Sequence, residues 1–464
     1  MVVSRGISEL RDLVALCRQR GFVYESAAVH GGFANSFDFG PLGVALKQRL
    51  QESWWRRFVT RRSDVFGLDS AVLMPPKVWE HSGHLDNFTD PLVDCKTCQK
   101  RFRADHLADM ELVNAGALRE QPCPCSKLEK WGDEVSEVRT FNLMFETSVG
   151  PVVGEGNKAY FRPETAQGAF VNFENVAQST NARLPFGIAQ VGKAFRNEVT
   201  PGNYIFRTRE FEQMELEWFC NPDEAEKWFD VWLDDAEDWL VNTVGIRPSS
   251  IKHVEHAPED LAHYARRTVD IEFNFPFGWG ELWGIANRGT YDLTCHGLHY
   301  KDKTNNTKVV PAVIEPALGL SRLVLAVLCD AYRVEEIGVK KNGAKDERQL
   351  LALAPSIAPH HVAVLPLVSN NADLAEVARK IFTDIGEQPF GSPVLDMSKT
   401  SIGKRYRRQD AVGTPYCATI DFETIEDQCV TVRDRDSMEQ VRVPIKEVTT
   451  RTPDQLGDLF KDDH

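Results

Sequence analysis

The chain has 464 residues, of which 42% are hydrophobic, and a formal net charge of -14 at pH 7. At roughly 100–200 residues per domain this length predicts two to four domains, with enough apolar material for large cores. Its ten cysteines are too sparse for a disulfide scaffold. Residues 1–14 lack the apolar run of a signal peptide, and the sequence has no apolar run of the ~20 residues that a membrane span needs, so we expect a cytoplasmic protein.

The net charge argues against a nucleic-acid partner, because phosphate binding usually needs a basic surface. A large acidic protein can nevertheless carry one local basic patch. The charge therefore restricts where a nucleic acid could bind and does not exclude one.

The first strong helix signal lies in residues 37–59, FDFGPLGVALKQRLQESWWRRFV, directly after the Gly-Pro pair. An apolar stripe recurs there at every fourth residue, at Leu46, Leu50, Trp54 and Phe58. Such a stripe is typical either of a helix that packs on the core of its own chain or of a helix at a subunit interface. Residues 85–140, in contrast, have few apolar periodicities and are predicted to be an insertion.

The most unusual stretch, residues 194–218, is AFRNEVTPGNYIFRTREFEQMELEW. VTPGN supplies turn residues between two strand-like flanks, so we predict a hairpin. Side chains alternate between the faces of a strand. One face of the second flank carries Met214, Leu216 and Trp218. The other face carries Phe211, Gln213, Glu215 and Glu217.

The polar face of this hairpin has two interpretations. It is typical of a solvated sheet with cross-strand ion pairs, or of a sheet that holds a ligand. Arginines beside a Gly/Pro turn favour a polyphosphate ligand, because guanidinium groups offer planar donors to phosphate and an aromatic ring can stack on a base.

Further along the chain, a helix is predicted from Asn221, a capping residue, to Gly245. The segment KVVPAVIEP (308–316) predicts a strand that leads into a helix. The polar stretch 340–348 predicts a linker, and we place a domain boundary near residue 357. Beyond this boundary, strands and helices alternate as in an α/β domain.

Three segments, in the expected order, resemble the signature motifs of class II aminoacyl-tRNA synthetases. FDFGPLG and its helix resemble motif 1, FRNE (195–198) with its hairpin resembles motif 2, and EPALGLSR (315–322) resembles motif 3. FRPETAQG, WGELWGIANR and KRYRRQDAVGTPYC are closely similar to the dimeric glycyl-tRNA synthetases. The sequence departs from that family most at residues 94–131, and at Ala317, where many members have serine.

The resemblance implies an α+β fold. Residues 1–356 would form a catalytic domain, an antiparallel sheet flanked by helices, with the insertion at about 85–140. Residues 357–464 would form an α/β anticodon-binding domain. The implied function is ATP-dependent attachment of glycine to tRNA(Gly) through a glycyl-adenylate, with Mg²⁺ accompanying ATP. The family forms homodimers through the motif 1 helix.

The resemblance also assigns an ATP site. The implied catalytic residues are Arg196 at the α-phosphate, Glu198 at the adenine amino group, and Arg322 on one face of adenine. Phe211 would stack on the other face. The rest of the implied ATP set is Asn197, Phe206, Arg207, Leu282, Gly319 and Glu281, of which Arg207 would meet the outer phosphates or the tRNA end and Glu281 would hold Mg²⁺.

Glycine offers only an ammonium and a carboxylate for recognition. By resemblance, Glu164, Glu215 and Glu315 would surround the ammonium, and Arg103 would lie near the carboxylate. The implied set is completed by Phe211, Gln213 and Gly319. Three clustered acids repel one another, and at least one pKa would rise unless a cation sat between them. The alternative for each single glutamate is a structural ion pair.

Two pairs of cysteines lie inside the insertion. Cys95-x-x-Cys98 and Cys123-Pro-Cys125 resemble a tetrahedral, structural Zn²⁺ site. The alternative is four reduced thiols in a loop that has lost its metal. A second group of residues, Cys295, His296 and His299, is expected to serve packing.

A basic run, Lys404, Arg405, Arg407 and Arg408 around Tyr406, lies in the predicted anticodon domain. It suits either a solvated helix face or contact with unpaired anticodon bases. Two other functions fit parts of the sequence: a catalytically inactive, synthetase-like nucleic-acid-binding or polymerase accessory protein, and a zinc-dependent nucleic-acid-binding protein. The presence of Arg196, Glu198 and Arg322 favours the enzyme.

Overall fold

The computed structural model describes residues 3–104, 107, 118–124, 129–151, 158–198, 202–302, 307–339 and 343–461. Its helices, numbered in chain order, are α1 Leu10–Arg20, α2 Pro41–Trp55, α3 Pro76–His81, α4 His84–Asn87, α5 Ala166–Val171, α6 Phe173–Ser179, α7 Ala225–Asp238, α8 Tyr291–Cys295, α9 Leu320–Ala331, α10 Ala372–Gly386, α11 Ile402–Val412, α12 Glu423–Asp427, α13 Ile445–Thr450 and α14 Pro453–Gly457.

The strands are numbered in the same way. They are β1 Val3–Arg5, β2 Val23–Glu25, β3 Phe37–Phe39, β4 Val65–Gly67, β5 Leu73–Met74, β6 Thr89–Asp94, β7 Arg101–Arg103, β8 Arg139–Asn142, β9 Glu146–Ser148, β10 Lys158–Phe161, β11 Phe186–Phe195, β12 Glu210–Cys220, β13 Ile251–Glu255, β14 Arg267–Phe275, β15 Gly278–Gly289, β16 Tyr300–Lys301, β17 Lys308–Val309, β18 Ala312–Gly319, β19 Tyr332–Val339, β20 Lys345–Leu351, β21 Val362–Pro366, β22 Pro393–Leu395, β23 Tyr416–Ile420, β24 Cys429–Asp434 and β25 Gln440–Pro444.

A seven-stranded sheet forms the centre of the larger part of the chain, in the order β13-β14-β15-β18-β12-β11-β4. Neighbouring strands are antiparallel except β4, which pairs with β11 in parallel. Helices α2, α7 and α9 pack against this sheet around one large apolar core. This arrangement confirms the predicted α+β class.

The apolar stripe of α2 belongs to the core of the chain. Leu46, Leu50, Trp54 and Phe58 are at most 2% exposed. The ring of Phe58 lies within 6.1 Å of Trp54, Trp232, Trp239 and Trp283. Of the two interpretations of the stripe, packing on its own core is therefore correct, and any subunit contact of α2 has to use the other side of the helix.

The C-terminal part of the chain is a separate α/β unit. Its five-stranded sheet has the order β22-β21-β23-β24-β25, with the first three strands parallel and the last three antiparallel. Helices α10, α13 and α14 contribute to a core of its own, distinct from that of the large sheet. The predicted order of strands and helices after residue 357 is confirmed.

Two predicted segments differ from the structure. The stretch 340–348, predicted as a linker, enters strand β20 at Lys345, which pairs with β19. The segment KVVPAVIEP forms two strands, β17 and β18, in different sheets, because Pro311 between them has no N–H to give to a ladder. The residues at 340–348 are mostly polar, and their polarity predicted a linker. A strand that pairs outside the core needs few apolar side chains, so β20 gives little apolar signal in the sequence.

The insertion has more structure than its sequence pattern indicates. Strands β6, β7 and β8 form a small sheet, and a buried cluster beside it includes Val93, Leu118, Trp131 and Val135. Within the described ranges, the chain has no helix that combines the length and the hydropathy of a membrane span.

Candidate active site

The hairpin β11–β12 forms the centre of the site. Ala194 pairs with Phe211, and Gln190 pairs with Glu215, so the predicted hairpin and its alternation are confirmed. Met214, Leu216 and Trp218 are at most 1% exposed and pack toward the helices. The opposite face of β12 therefore faces a cavity on the other side of the sheet.

This cavity has a volume of about 300 Å³. The predicted site residues that line it are Glu164, Arg196, Glu198, Phe206, Arg207, Phe211, Gln213, Glu215, Glu281, Glu315, Gly319 and Arg322. Residues from β12, β15 and β18 thus meet at one place, although they are far apart in sequence. Ala317 also lines the cavity, on β18 opposite Glu215.

Three predicted site residues lie elsewhere. Leu282 is 1% exposed and belongs to the apolar core on the other side of the sheet. The backbone N–H of Asn197 donates to Leu143, and its side chain lines a neighbouring cavity. Arg103, on β7, forms an ion pair with Asp90 at 3.0 Å. Strand alternation explains why Leu282 faces the core: its neighbour Glu281 faces the cavity, so Leu282 points to the opposite side of the sheet.

Arg196 is held at the wall of the cavity by one hydrogen bond and two rings. Its Nε donates to the carbonyl of Pro163 at 3.0 Å. Its guanidinium carbon lies 5.4 Å from the ring centre of Phe88 and 5.3 Å from that of Phe211. Among the described residues, its two terminal nitrogens have no hydrogen-bond partner, so they can donate in parallel to an anion.

Two ion pairs close one end of the cavity, where the resemblance predicts the nucleotide. Arg207 meets Glu198 at 3.0 Å, and Arg322 meets Glu281 at 2.9 Å. Arg322 also donates to the carbonyl of Glu281 and lies 4.5 Å above the ring of Phe206. Without a ligand these arginines and acids therefore neutralise each other.

The acids predicted to hold an ammonium converge at the other end. Glu215 accepts from the backbone N–H of Thr165 at 2.9 Å, from its hydroxyl, and from Gln213 at 2.5 Å. Glu164 accepts from Gln167 at 3.1 Å. The Oε1 of Gln213 is buried without a hydrogen-bond partner in the described part of the chain, so it is a free acceptor for a ligand.

The cation that compensates these acids, Arg288, was missed by the sequence analysis. It is 1% exposed, donates to Asp292 at 2.7 and 2.8 Å, and donates to Glu315 at 2.7 Å. Its guanidinium lies 3.7 Å from the ring centre of Tyr264. An irregularity in the pairing of β15 with β18, between Asn287 and Gly289, places Arg288 at this point.

The buried acids outnumber the cations beside them, and two of these acids have raised pKa values. Burial, helped by Glu215 and Glu164, raises the pKa of Glu315 to about 8 despite Arg288. Burial and Glu164 also raise the pKa of Glu215. Although burial acts the other way, the charges of His84 and Arg288 hold the pKa of Glu164 below its usual range. The site can therefore accept one further positive charge.

The resemblance implies no role for the other glutamates of the second flank, Glu210, Glu212 and Glu217, and the sequence alone predicts ordinary ion-pair partners for them. That interpretation is correct for Glu210, which meets Lys193, and for Glu212, which meets Lys47 at 2.7 Å. It is wrong for Glu217, which is 1% exposed and has no hydrogen-bond partner for either oxygen within the described ranges. Burial and the nearby Glu315 raise the pKa of Glu217 well above its usual range.

A second pair that the sequence did not indicate lies on the cavity wall. His256 and Asp270 are 2.8 Å apart. Burial and the nearby Glu281 raise the pKa of Asp270 to about 6, against the pull of His256. A side chain at Gly284 would meet both Asp270 (3.4 Å) and Glu281 (3.8 Å), so these two carboxylates converge over a glycine.

Binding of an ammonium ligand is expected to release protons. An added cation favours ionised acids, so it lowers the raised pKa of Glu315, and the proton leaves the site at pH values just below about 8. Affinity for glycine should consequently rise with pH in this window, by up to about tenfold per pH unit for each proton released. Calorimetric titration of glycine in two buffers of different ionisation enthalpy measures this release. Proton uptake, or none, would contradict it.

The cysteine cluster lies apart from the cavity, in the insertion. The sulfur of Cys123 is 3.6 Å from that of Cys95 and 3.7 Å from that of Cys98. Sulfurs around a tetrahedral zinc, with Zn–S near 2.3 Å, are about 3.8 Å apart, whereas disulfide sulfurs are bonded at about 2.05 Å. Cys125, the fourth predicted ligand, lies outside the described residues.

The other polar clusters are structural where the structure describes them. The imidazole of His296 is hydrogen-bonded to the side chain of Gln167 at 2.9 Å, which agrees with the predicted packing role. In the basic run, Arg405 is fully buried and donates to the carbonyl of Pro366 at 2.7 Å. Arg407 pairs with Asp346 and Arg408 with Asp396. The run is thus neither a uniform solvated face nor a uniform RNA-binding face.

Comparison with known proteins agrees with this geometry. A family model for the tRNA synthetase class II core domain (G, H, P, S and T) matches residues 152–331, and an anticodon binding domain model matches residues 361–453. A solved prolyl-tRNA synthetase from Cryptosporidium parvum, complexed with L-proline and AMP, has a TM-score of 0.63 at 13% identity, covering 96% of this chain and 75% of that one. The fold and the site therefore define a class II tRNA synthetase with an anticodon-binding domain.

The particular family follows from two relatives named glycine--tRNA ligase. The one from Geobacillus thermodenitrificans (strain NG80-2) is 47% identical, covering 95% of this chain and 96% of its own length. The one from Staphylococcus aureus (strain bovine RF122 / ET3-1) is 47% identical, covering 95% of this chain and 97% of its own length. The chain belongs to the glycine--tRNA ligase family.

Proposed function

We propose that the chain attaches glycine to tRNA(Gly) in two steps. The glycine carboxylate attacks the α-phosphorus of ATP, and pyrophosphate leaves, giving glycyl-adenylate. A terminal ribose hydroxyl of the tRNA then attacks the glycyl carbonyl, and AMP leaves. This proposal rests on one observation. The cavity brings together Arg196, whose terminal guanidinium nitrogens have no partner among the described residues, and a cluster of buried acids.

The first step needs positioning and charge stabilisation, and no covalent protein nucleophile. Arg196 is pre-aimed by Pro163 and Phe211, so its terminal nitrogens can meet the α-phosphate as negative charge develops. We assign Phe211 and Arg322 to the two faces of adenine and Glu198 to its amino group. Arg207 would then leave Glu198 for the outer phosphates, exchanging one ion pair for another.

Glycine would bind at the acidic end of the cavity. Glu164, Glu215 and Glu315 supply negative charge for the ammonium, and Gln213 supplies an unpaired acceptor. A small site excludes larger amino acids by bulk, which discriminates more strongly than a preference for one extra methylene. Arg103, on β7, is not assigned a glycine contact, because it pairs with Asp90 on β6.

Glycine-dependent exchange of labelled pyrophosphate into ATP tests this proposal. The wild-type chain should catalyse it, and Glu215→Gln should lose more than about tenfold, because a charged hydrogen-bond partner is worth ~1.5–3 kcal/mol. Glu210→Gln is the matched control, since Glu210 is an exposed acid of the same strand that pairs with Lys193. Absence of exchange in the wild type would defeat the enzyme proposal. Near-normal exchange by Glu215→Gln would defeat the role of Glu215.

Mg²⁺ fits the nucleotide end of the cavity. It prefers carboxylate oxygens, and Glu281 and Asp270 converge there. When bound with ATP, the ion neutralises charge on the phosphates. Glu281 would have to exchange its pair with Arg322 for the metal.

Zn²⁺ fits the cysteine cluster, with Cys95, Cys98 and Cys123 as ligands and Cys125 as the fourth. Such a site, closed by thiolates, stabilises the insertion and takes no part in catalysis. Protein purified without chelators should contain about one zinc per chain. Removal of the zinc should lower the melting temperature of the insertion by several degrees. Metal analysis that finds no zinc would refute the site.

The remaining partners follow from the family. We propose a cytoplasmic homodimer in which the side of α2 opposite the buried stripe, and the turn before it, contact the second copy. Val29 and Phe33, in that turn, are 90% and 84% exposed, more than isolated apolar side chains need to be. No observation on the described residues favours the inactive alternative, since Arg196, Glu198 and Arg322 all line one cavity.

A further inference from the structure

A short segment around helix α4, residues 82–88, contacts the catalytic cavity from outside without lining it. We call it the α4 segment. It leads directly into strand β6 of the insertion, and strand β8 fixes its backbone at two points. The side chain of Asn142 donates to the carbonyl of Leu85 at 3.1 Å, and the N–H of Leu143 donates to the carbonyl of Phe88 at 3.1 Å. Side chains of this anchored segment can therefore hold groups of the cavity in fixed positions.

The first such side chain, His84, reaches the carboxylate of Glu164. Its Nε2 lies 3.4 Å from Oε1 of Glu164, and both side chains are at most 10% exposed. The other polar partners of Glu164 within the described ranges, Gln167 at 3.1 Å and Arg288 at 3.8 Å, contact the same oxygen. Three donors on Oε1 leave Oε2 to accept from a ligand in the cavity, which Glu164 lines.

Ser82 fixes the ring of His84 from its other side. The Oγ of Ser82 lies 2.8 Å from Nδ1 of His84 and 3.4 Å from the carbonyl oxygen of Trp79. The hydroxyl donates to Nδ1 when the imidazole is neutral. When the imidazole is charged, the hydroxyl accepts from Nδ1 and donates to Trp79. In both states the proton on Nε2 faces Glu164, whose ionised carboxylate only accepts.

The second side chain, Phe88, lies one helical turn after His84. Its ring centre is 5.4 Å from the guanidinium carbon of Arg196 and 5.8 Å from the ring of His84. The ring quadrupole attracts a guanidinium, so this contact restricts where the terminal nitrogens of Arg196 point. The α4 segment thus contacts one group of each proposed substrate site, Glu164 for glycine and Arg196 for ATP.

We propose that the α4 segment positions both substrate-binding groups, His84 by aiming Glu164 and Phe88 by aiming Arg196. The inference rests on the proposed function, in which Glu164 binds the ammonium of glycine and Arg196 the α-phosphate of ATP. Neither His84 nor Phe88 lines the cavity, so each acts through another side chain and is a positioning residue. The insertion, which anchors the segment, therefore supports the cavity from outside.

Two substitutions of His84 separate positioning from packing. His84→Phe keeps a ring against Trp79 (5.5 Å) and Phe88 (5.8 Å) but removes both nitrogens. In pyrophosphate exchange it should raise the KM for glycine more than about fivefold, with kcat and the KM for ATP within about twofold of wild type. His84→Gln keeps a donor near the position of Nε2, so its KM for glycine should return to within about twofold of wild type.

Two further variants support this comparison. Ser82→Ala leaves His84 in place but removes the partner of Nδ1, so the KM for glycine should rise by about two- to threefold. This variant decides the role of His84 if circular dichroism shows that His84→Phe does not fold. His263→Phe is the matched control, since His263 contacts the carbonyl of Ser82 at 3.4 Å and, within the described ranges, does not contact Glu164.

Phe88→Leu tests the other half of the proposal. Leucine keeps an apolar side chain but has no ring face for Arg196. The rate of adenylate formation in a single turnover should fall roughly three- to tenfold, the range of one cation–π contact, while the KM for glycine stays within about twofold of wild type.

The two variants should therefore have separate effects. If His84→Phe and Phe88→Leu changed the KM for glycine and the rate of adenylate formation alike, the segment would be structural only and the inference would be wrong. An unchanged KM for glycine in His84→Phe, or an equal rise in His84→Gln or His263→Phe, would also overturn it. Failure of the wild type in pyrophosphate exchange would defeat the proposed function instead. Calorimetric Kd values of glycine for the wild type and the His84 variants would then still decide whether His84 positions Glu164.

Discussion

Replacement of Arg288 by leucine is expected to lower the free energy of unfolding by about 3–5 kcal/mol. Arg288 is 1% exposed and donates to both Asp292 and Glu315. Its removal leaves buried carboxylates without a counter-charge, whose desolvation is no longer offset. Urea denaturation at pH 8 measures the loss.

The same variant should respond to pH in a defined direction. The carboxylates left behind bind protons more readily in the folded than in the unfolded chain, so stability falls as pH rises. The deficit should therefore be smaller at pH 5.5 than at pH 8. Arg267→Leu is the matched control. Arg267 also meets three acids, Glu226, Asp230 and Glu255, but near solvent, where such pairs contribute at most about 1 kcal/mol. A loss below that value for Arg288→Leu would contradict the argument.

The fold was predictable where the hydrophobic pattern has a single period. The stripe of α2, the alternation of β12 and the helix–strand order after residue 357 each follow from side chains buried on one face. Residues 340–348 were mispredicted because β20 pairs through its backbone at the edge of a small sheet, which polar side chains tolerate. The sheet of the insertion was missed for a related reason, since its core is made of few and widely spaced residues.

The candidate site was predictable only through residues on regular strands. Alternation placed Phe211, Gln213 and Glu215 together, and the structure agrees. Alternation also placed Glu217 on this face, and the structure buries it there, although the sequence predicted no ligand contact for it. Strand alternation does not predict where the side chain of Arg288 points, because the irregularity in the pairing of β15 sets its direction. An arginine two residues after the apolar run 282–286 was the available signal.

Ion pairing within the site explains why the site residues could be only partly predicted. Arg207–Glu198 and Arg322–Glu281 neutralise residues that the nucleotide would engage. Each of these residues, taken singly, therefore resembles a member of a structural ion pair. A binding site is distinguished by the charges and hydrogen-bonding groups that remain without a partner. Unpaired acceptors and raised acid pKa values lie at one end of the cavity, and the free fork of Arg196 lies at its wall.

Replacement of Arg196 by alanine is expected to lower the rate of adenylate formation by roughly 10²–10³-fold, the effect of losing one pre-aimed donor to developing charge. The KM for glycine should change little, because Arg196 is not among the groups assigned to the ammonium. Arg196→Lys should recover only part of the rate, since an ammonium cannot donate as a planar fork. Arg209→Ala is the matched control: Arg209 belongs to the same hairpin but is only half-buried, does not line the cavity and donates to the carbonyl of Ala34. Single-turnover measurement of adenylate formation separates this step from tRNA transfer. A rate within threefold of wild type for Arg196→Ala, or an equal loss for Arg209→Ala, would show that the α-phosphate is stabilised by some other group.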